Sequence, residues 1–198
     1  MNKNDRKSNK KQKILKTAVN LFLNTHNFNK VSIEEIARKA DVSPTTIYNL
    51  FDNRENMTIE VIKKISLDSL KEYRRIIDSD KPFLKKIKLI MERKMRSASM
   101  DLDILDKLIS NDEDLIEFAE DINQKETRPL LLDFIEEGRI QGYIRNNISD
   151  DSILAYLEIL QESGTIYYRF VEAHKENPEI IEQLNDILFY GIMNRKQE

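Results

Sequence analysis

Two helix starts lie only eleven residues apart near the front of this 198-residue chain, and no other feature limits its folding as tightly. Ser32 stands three residues before Glu35, the spacing at which a serine hydroxyl and a glutamate carboxylate each satisfy a free N–H of a first helical turn. The apolar set Ile33, Ile36, Ala37 and Ala40 follows. Asp41-Val42 interrupts that helix, and Ser43-Pro44 starts another, with serine at the cap and proline at the first helical position, where its missing N–H costs nothing. Two short helices joined by so tight a turn need a small residue where they cross and a common apolar spine. Ile36, Ala37, Val42 and Ile47 meet those demands.

The flanking sequence is also helical. From Lys11 to Thr25 the residues Ile14, Ala18, Leu21 and Phe22 recur on one helix face, and Asn27 can take the left-handed conformation that ends such a helix. Asp52, three residues before Glu55, predicts a second capping box. It opens a long amphipathic run through Met57, Val61, Ile62, Ile65, Leu70, Tyr73 and Ile77, which stops near Pro82. Further helices are predicted at about 82–98, 102–110, 112–123, 127–141, 150–174 and 178–194, with no credible strand pair. The expected fold class is all-α: a three-helix N-terminal module joined by a connecting helix to a C-terminal bundle. The expected divisions are a basic disordered tail at 1–9, a helix-turn-helix domain at 10–56 whose recognition helix spans about 43–50, and a C-terminal domain at 57–198.

Composition removes several classes of function. Without cysteine there is no disulfide framework, thiolate zinc site or cysteine nucleophile, and His26 and His174 lie far apart. The four glycines form no phosphate-cradling loop. A helical enzyme is therefore disfavoured, and no metal or cofactor is expected. No apolar stretch is long enough for a membrane span and no secretory signal opens the chain, which predicts a cytoplasmic protein.

The net charge of −3 hides an asymmetry. Residues 1–50 carry +6, residues 51–100 carry +5 and residues 101–198 carry −14, so a basic end suited to a polyanion precedes an acidic body. Seven Lys and Arg fall within residues 1–16, a density that a solvated tail would also show. The second short helix turns Thr45, Thr46, Tyr48 and Asn49 outward, hydrogen-bonding groups without an acid, as a phosphate-lined groove requires. Ser43 and the free N–H groups of its first turn can also take a phosphate.

The ordered set Phe22, Phe28, Ser32-Ile33, Ile36-Ala37, Ala40, Val42-Ser43, Ile47-Tyr48, Phe51 and Arg54-Glu55 resembles the DNA-binding domain of the TetR family of transcriptional regulators, over about residues 10–58. The resemblance implies three helices around a helix-turn-helix, then a larger helical domain that dimerises and binds an inducer. It gives Ser32 and Tyr48 phosphate contacts, sets Arg54 where the family usually has a lysine beside the DNA backbone, and places Thr45, Thr46 and Asn49 where base edges are read. Three positions depart from the pattern. Leu50 replaces a frequent His or Tyr, Asn27 replaces a glycine, and Pro44 offers shape and apolar contact but no hydrogen bond.

The resemblance further implies a homodimeric, ligand-responsive regulator, most often a repressor, that binds a palindromic double-stranded DNA operator and is released by a small-molecule inducer. Candidate inducer contacts are Met91, Met95, Phe118, Phe134, Tyr156 and Tyr167, adaptable apolar and aromatic groups. Candidate dimer contacts are Leu154, Leu157, Ile181, Leu184 and Leu188, on two helices more apolar than one buried face needs. The competing reading is a helical protein-interaction module whose degenerate helix-turn-helix binds no specific DNA.

Overall fold

The computed structural model describes residues 3–25, 31–97, 112–162 and 164–190, which form ten α-helices and one π-helical turn, with no β-sheet among them. The helices are α1 (Lys3–Thr25), α2 (Ile33–Ala40), α3 (Pro44–Phe51), α4 (Arg54–Ile77), α5 (Phe83–Ser97), α6 (Glu113–Ile122), α7 (Arg128–Ile140), α8 (Asp150–Glu162), α9 (Gly164–Ala173) and α10 (Pro178–Tyr190). The all-α expectation holds. Asn27 and the helix expected at 102–110 lie outside the described residues.

Local chemistry explains the first four helices, with three corrections. The residues expected as a disordered tail are helical from Lys3 onward. Neither Pro nor Gly breaks the run to Lys13, its lysines and Gln12 are good helix formers, and Asp5 in the first turn complements the helix dipole. Ser32 caps α2 as expected, its Oγ accepting the Glu35 N–H at 3.1 Å, while the Glu35 carboxylate points forward to Lys39 at 3.2 Å. The left-handed residue that ends α2 is Asp41 (φ 55°, ψ 54°), whose N–H returns to the carbonyls of Ala37 and Arg38. Ser43 caps α3, and Pro44 takes its first position.

The expected cap at Asp52 moves by one residue. Asp52 closes α3 by donating its N–H to the Tyr48 carbonyl at 2.7 Å, and the Asn53 N–H bonds the Phe51 carbonyl at 2.9 Å. Together they make a tight turn about a positive φ of 71° at Asp52, a strained conformation for a residue with a side chain. Asn53 caps α4 instead, its Oδ1 accepting the Asn56 N–H at 2.8 Å.

The chain divides into two compact units, Met1–Tyr73 with Ser99–Asp121 and Arg74–Ala98 with Ile122–Glu198. The boundary falls within α4, beyond the expected 56/57, because Met57, Val61 and Ile62 are buried in the same core as Ile14, Ala18, Phe22, Ile36, Ala37, Ile47 and Phe51. Burying each larger side chain of that set contributes about 1.5–3 kcal/mol. Leu115 of α6 completes it.

In the second unit the core gathers on Phe83, Ile135, Ile144 and Ile153. Phe83 lies 4.7 Å from the Phe134 ring centre and 5.2 Å from that of Tyr143. Gly138 is required by this packing, since a Cβ there would come within 2.5 Å of Phe83 Cζ and 2.8 Å of Ile144 Cδ1. Lys86, only 5% exposed, is held by both carboxylate oxygens of Glu137 at 2.8 and 2.9 Å. Two helix expectations change in this half. The helices expected at 112–123 and 127–141 run into one another through a π-helical turn at Asn123–Thr127, and the single helix expected at 150–174 is two, the second beginning at Gly164.

The cap assignment predicts opposite results for neighbouring substitutions. Asn53→Ala should lower stability by about 1 kcal/mol by orphaning a first-turn N–H, whereas Asp52→Gly should raise it by roughly 0.5 kcal/mol by relieving the positive φ. Chemical denaturation of the intact variants measures both, and a costly Asp52→Gly with a neutral Asn53→Ala would restore the cap to Asp52.

Candidate nucleic-acid interface

Helix α3 has two faces of opposite character. Ile47 and Phe51 are buried and Leu50 is half-buried, which fixes the helix against its domain. Thr45, Tyr48 and Asn49, at the i, i+3, i+4 spacing of one face, are exposed, Tyr48 by 46%. Ser43 and Pro44 are exposed in front of them, and Thr46 is half-buried. The acid-free outward face expected for a groove-reading helix is present as a surface.

The hydroxyls at its start are linked. Ser43 Oγ accepts the Thr46 N–H at 3.2 Å and lies 2.9 Å from Thr46 Oγ1. Whichever hydroxyl donates across that short contact, the other keeps a proton for an outside acceptor. Three helices of this unit begin at polar caps, Ser32, Ser43 and Asn53, and each start carries the partial positive charge of unpaired N–H groups. Ser32 is half-buried at the first of them, and Arg54 is exposed in the first turn of α4, after the third.

Beside the end of α3 lies an open cleft of about 560 Å³, to which Lys11, Tyr48, Asn49, Asn56 and Glu60 contribute. The Lys11 ammonium is 2.9 Å from Glu60 Oε2 and 5.3 Å from the Phe51 ring centre. Sequence reasoning missed that α1 brings a cation to the end of α3. Its only signal was a lysine placed three residues before Ile14, where the apolar stripe begins.

The candidate inducer residues do not form one group. Phe118 belongs to the first unit, where the Lys63 ammonium sits 5.4 Å from its ring centre. Phe134 is committed to the Phe83 core, and Met91 and Tyr167 are half-buried on α5 and α9. The Met95 side chain lies outside the described residues. Tyr156 donates its hydroxyl to the Leu188 carbonyl, tying α8 to α10, and burial pushes its phenol above the ordinary range. Of the candidate dimer residues, Leu154 and Leu157 pack on the core of their own unit, while Ile181, Leu184 and Leu188 are half-buried on α10. The outward isoleucines of these two helices are Ile159 and Ile187, 64% and 72% exposed.

A family model described as bacterial regulatory proteins of the tetR family matches residues 14–61, the segment that carries α2, α3 and the start of α4. That segment is similar to the bacterial regulatory proteins of the tetR family. A curated relative, the nucleoid occlusion factor SlmA of Vibrio atlanticus (strain LGP32), is 25% identical over 87 residues, 44% of this chain and 44% of that protein. The match therefore spans less than half the length of that relative.

Solved structures extend the likeness of fold to nearly the whole chain. The reduced form of E. coli NemR has a TM-score of 0.67 at 13% identity, covering 96% of this chain and 100% of that one. The fatty acid degradation regulator FadR of Bacillus halodurans has 0.60 at 15%, covering 94% and 97%. The ketosteroid transcriptional regulator KstR2 of Mycobacterium tuberculosis has 0.55 at 20%, covering 93% and 95%. Among the described residues, no helix is long and apolar enough to cross a membrane.

The double role of Ser43 as cap and surface group gives a test on the free protein. Ser43→Ala should cost about 1 kcal/mol of stability, while Thr45→Ala, exposed on the same helix, should stay within about 0.5 kcal/mol. Calorimetric melting of both variants checks this, and a Ser43→Ala protein as stable as the parent would mean the hydroxyl does not hold α3.

Proposed function

We propose that this protein is a DNA-binding transcriptional regulator of the tetR type, a ligand-responsive repressor that binds a palindromic operator as a homodimer and releases it when a small-molecule inducer binds the second unit. The observation that carries the reading is the exposed, acid-free face of α3, Thr45, Tyr48 and Asn49, behind the linked hydroxyls of Ser43 and Thr46. Asn49 has the paired donor and acceptor to bridge adenine N6 and N7, and Thr45 and Thr46 offer short hydroxyls to base edges. Ser32, Ser43, Tyr48 and Arg54 bind phosphates, and Pro44 lies against a base edge without a hydrogen bond.

Dimerisation through α8 and α10 would cover Ile159 and Ile187 and set two copies of α3 one helical turn apart, about 34–36 Å. Inducer binding acts through α4, a continuous helix that passes from the first unit into the second between Tyr73 and Arg74. Altering the spacing of the two recognition helices lets only one seat in its groove. A coupling of about 1–3 kcal/mol is the scale for such control. That NemR, FadR and KstR2 share the fold supports the architecture; the inducer of this chain is a matter for direct screening.

The phosphate contacts separate this reading from a protein-interaction module. Arg54→Ala should weaken binding to all duplexes alike and make the dependence of log affinity on log salt shallower by about one unit. Tyr48→Phe should weaken binding without changing that slope. Titrations at several salt concentrations measure both, and variants that bind as the parent does at every salt would remove these residues from the interface.

A further inference from the structure

The contacts assigned to α2, α3 and α4 leave unused the most basic stretch of the chain. From Lys3 to Lys13 helix α1 carries no apolar side chain, and the first residue to enter the core is Ile14. Those eleven residues make a helical arm about 16 Å long at 1.5 Å per residue. Within residues 5–13 there are five cations against one acid, Asp5. Arg6, Lys10 and Lys13 are exposed at the i, i+4, i+7 spacing of one face, and Lys7 and Lys11 share the neighbouring face. The positive end of the helix dipole is also here, so the cations of the first turns raise a potential that an anion relieves.

Lys11 fixes where the arm leaves the domain. It is half-buried, pairs with Glu60, stands over Phe51 and shares the cleft with Tyr48 and Asn49. The arm therefore starts beside the end of the recognition helix. An acidic protein segment would satisfy the charge equally well, but this position favours the polyanion that α3 itself meets.

We propose that residues 3–13 are a cationic arm that lies along the phosphates flanking the half-site read by α3. It adds affinity and lengthens the footprint without adding base preference. The inference rests on the operator-binding reading above and deepens it.

The test is the variant Arg6→Gln/Lys7→Gln/Lys10→Gln/Lys13→Gln in the full chain. Glutamine matches lysine and arginine in helix propensity, and all four positions are exposed, so helix content and thermal midpoint should match the parent. The probes are the selected operator duplex and a random duplex of equal length. At about 50 mM salt, affinity for both should fall by the same factor, roughly 10–100-fold, and the salt slope should become shallower by about two to four units. Hydroxyl-radical footprints on the operator should lose their outer edges. If the variant keeps the parent's slope and footprint while the parent protects an operator, the arm is not a DNA contact and the recognition reading stands. A loss confined to the operator would mean that the arm reads bases, which overturns the assignment to phosphates. No specific footprint for the parent protein would remove both readings.

Discussion

An eight-residue helix does not hold itself together in water, and α3, the proposed recognition helix, is eight residues long. Its shape is imposed by what lies behind it: Ile47 and Phe51 sunk into the core of α1, α2 and α4, and the Ser43 hydroxyl closing its first turn. The same constraint divides the helix by chemistry. Every residue that anchors it must be apolar and inward, which leaves Thr45, Tyr48 and Asn49 for the surface.

Charge divides the chain along its length and not at the boundary of its two compact units. Residues 1–100 carry the excess of positive charge, and the acidic half would be repelled by a nucleic-acid backbone. Within the second unit the Lys86–Glu137 pair ties α5 to α7, and removing Glu137 would leave the buried Lys86 ammonium without that partner, a change that ordinarily costs about 3–5 kcal/mol. The pair stands beside a core otherwise built from rings, isoleucines and leucines.

Much of the fold was legible in the sequence because helix starts are governed by local chemistry. Ser32 and Ser43-Pro44 announce α2 and α3 through rules that need no tertiary contact, and both serines cap as expected. Asp52 and Asn53 are adjacent, and both are capable caps, so only the hydrogen bond from the Asp52 N–H to the Tyr48 carbonyl decides between them. The helical arm was hidden because a run of lysines reads equally well as a tail. The destination of Phe118 was hidden because periodicity gives the face of a helix and not the unit it packs in; Lys63, more than fifty residues away, supplies its contact. Leu154 and Leu157 show the same limit, since an all-round apolar helix does not say which residues face inward, and the structure leaves Ile159 outward in their place.

The central claim is that α3 reads specific DNA as one of a symmetric pair. Selection of bound sequences from a random duplex pool by the purified protein, carried out at two salt concentrations, tests it most directly. A symmetric pair of recognition helices should enrich a palindrome whose half-sites are about one helical turn apart, with the same sequence recovered at both salts. Enrichment of nothing, with binding that vanishes at moderate salt, would contradict the claim and reduce the basic face to a non-specific contact.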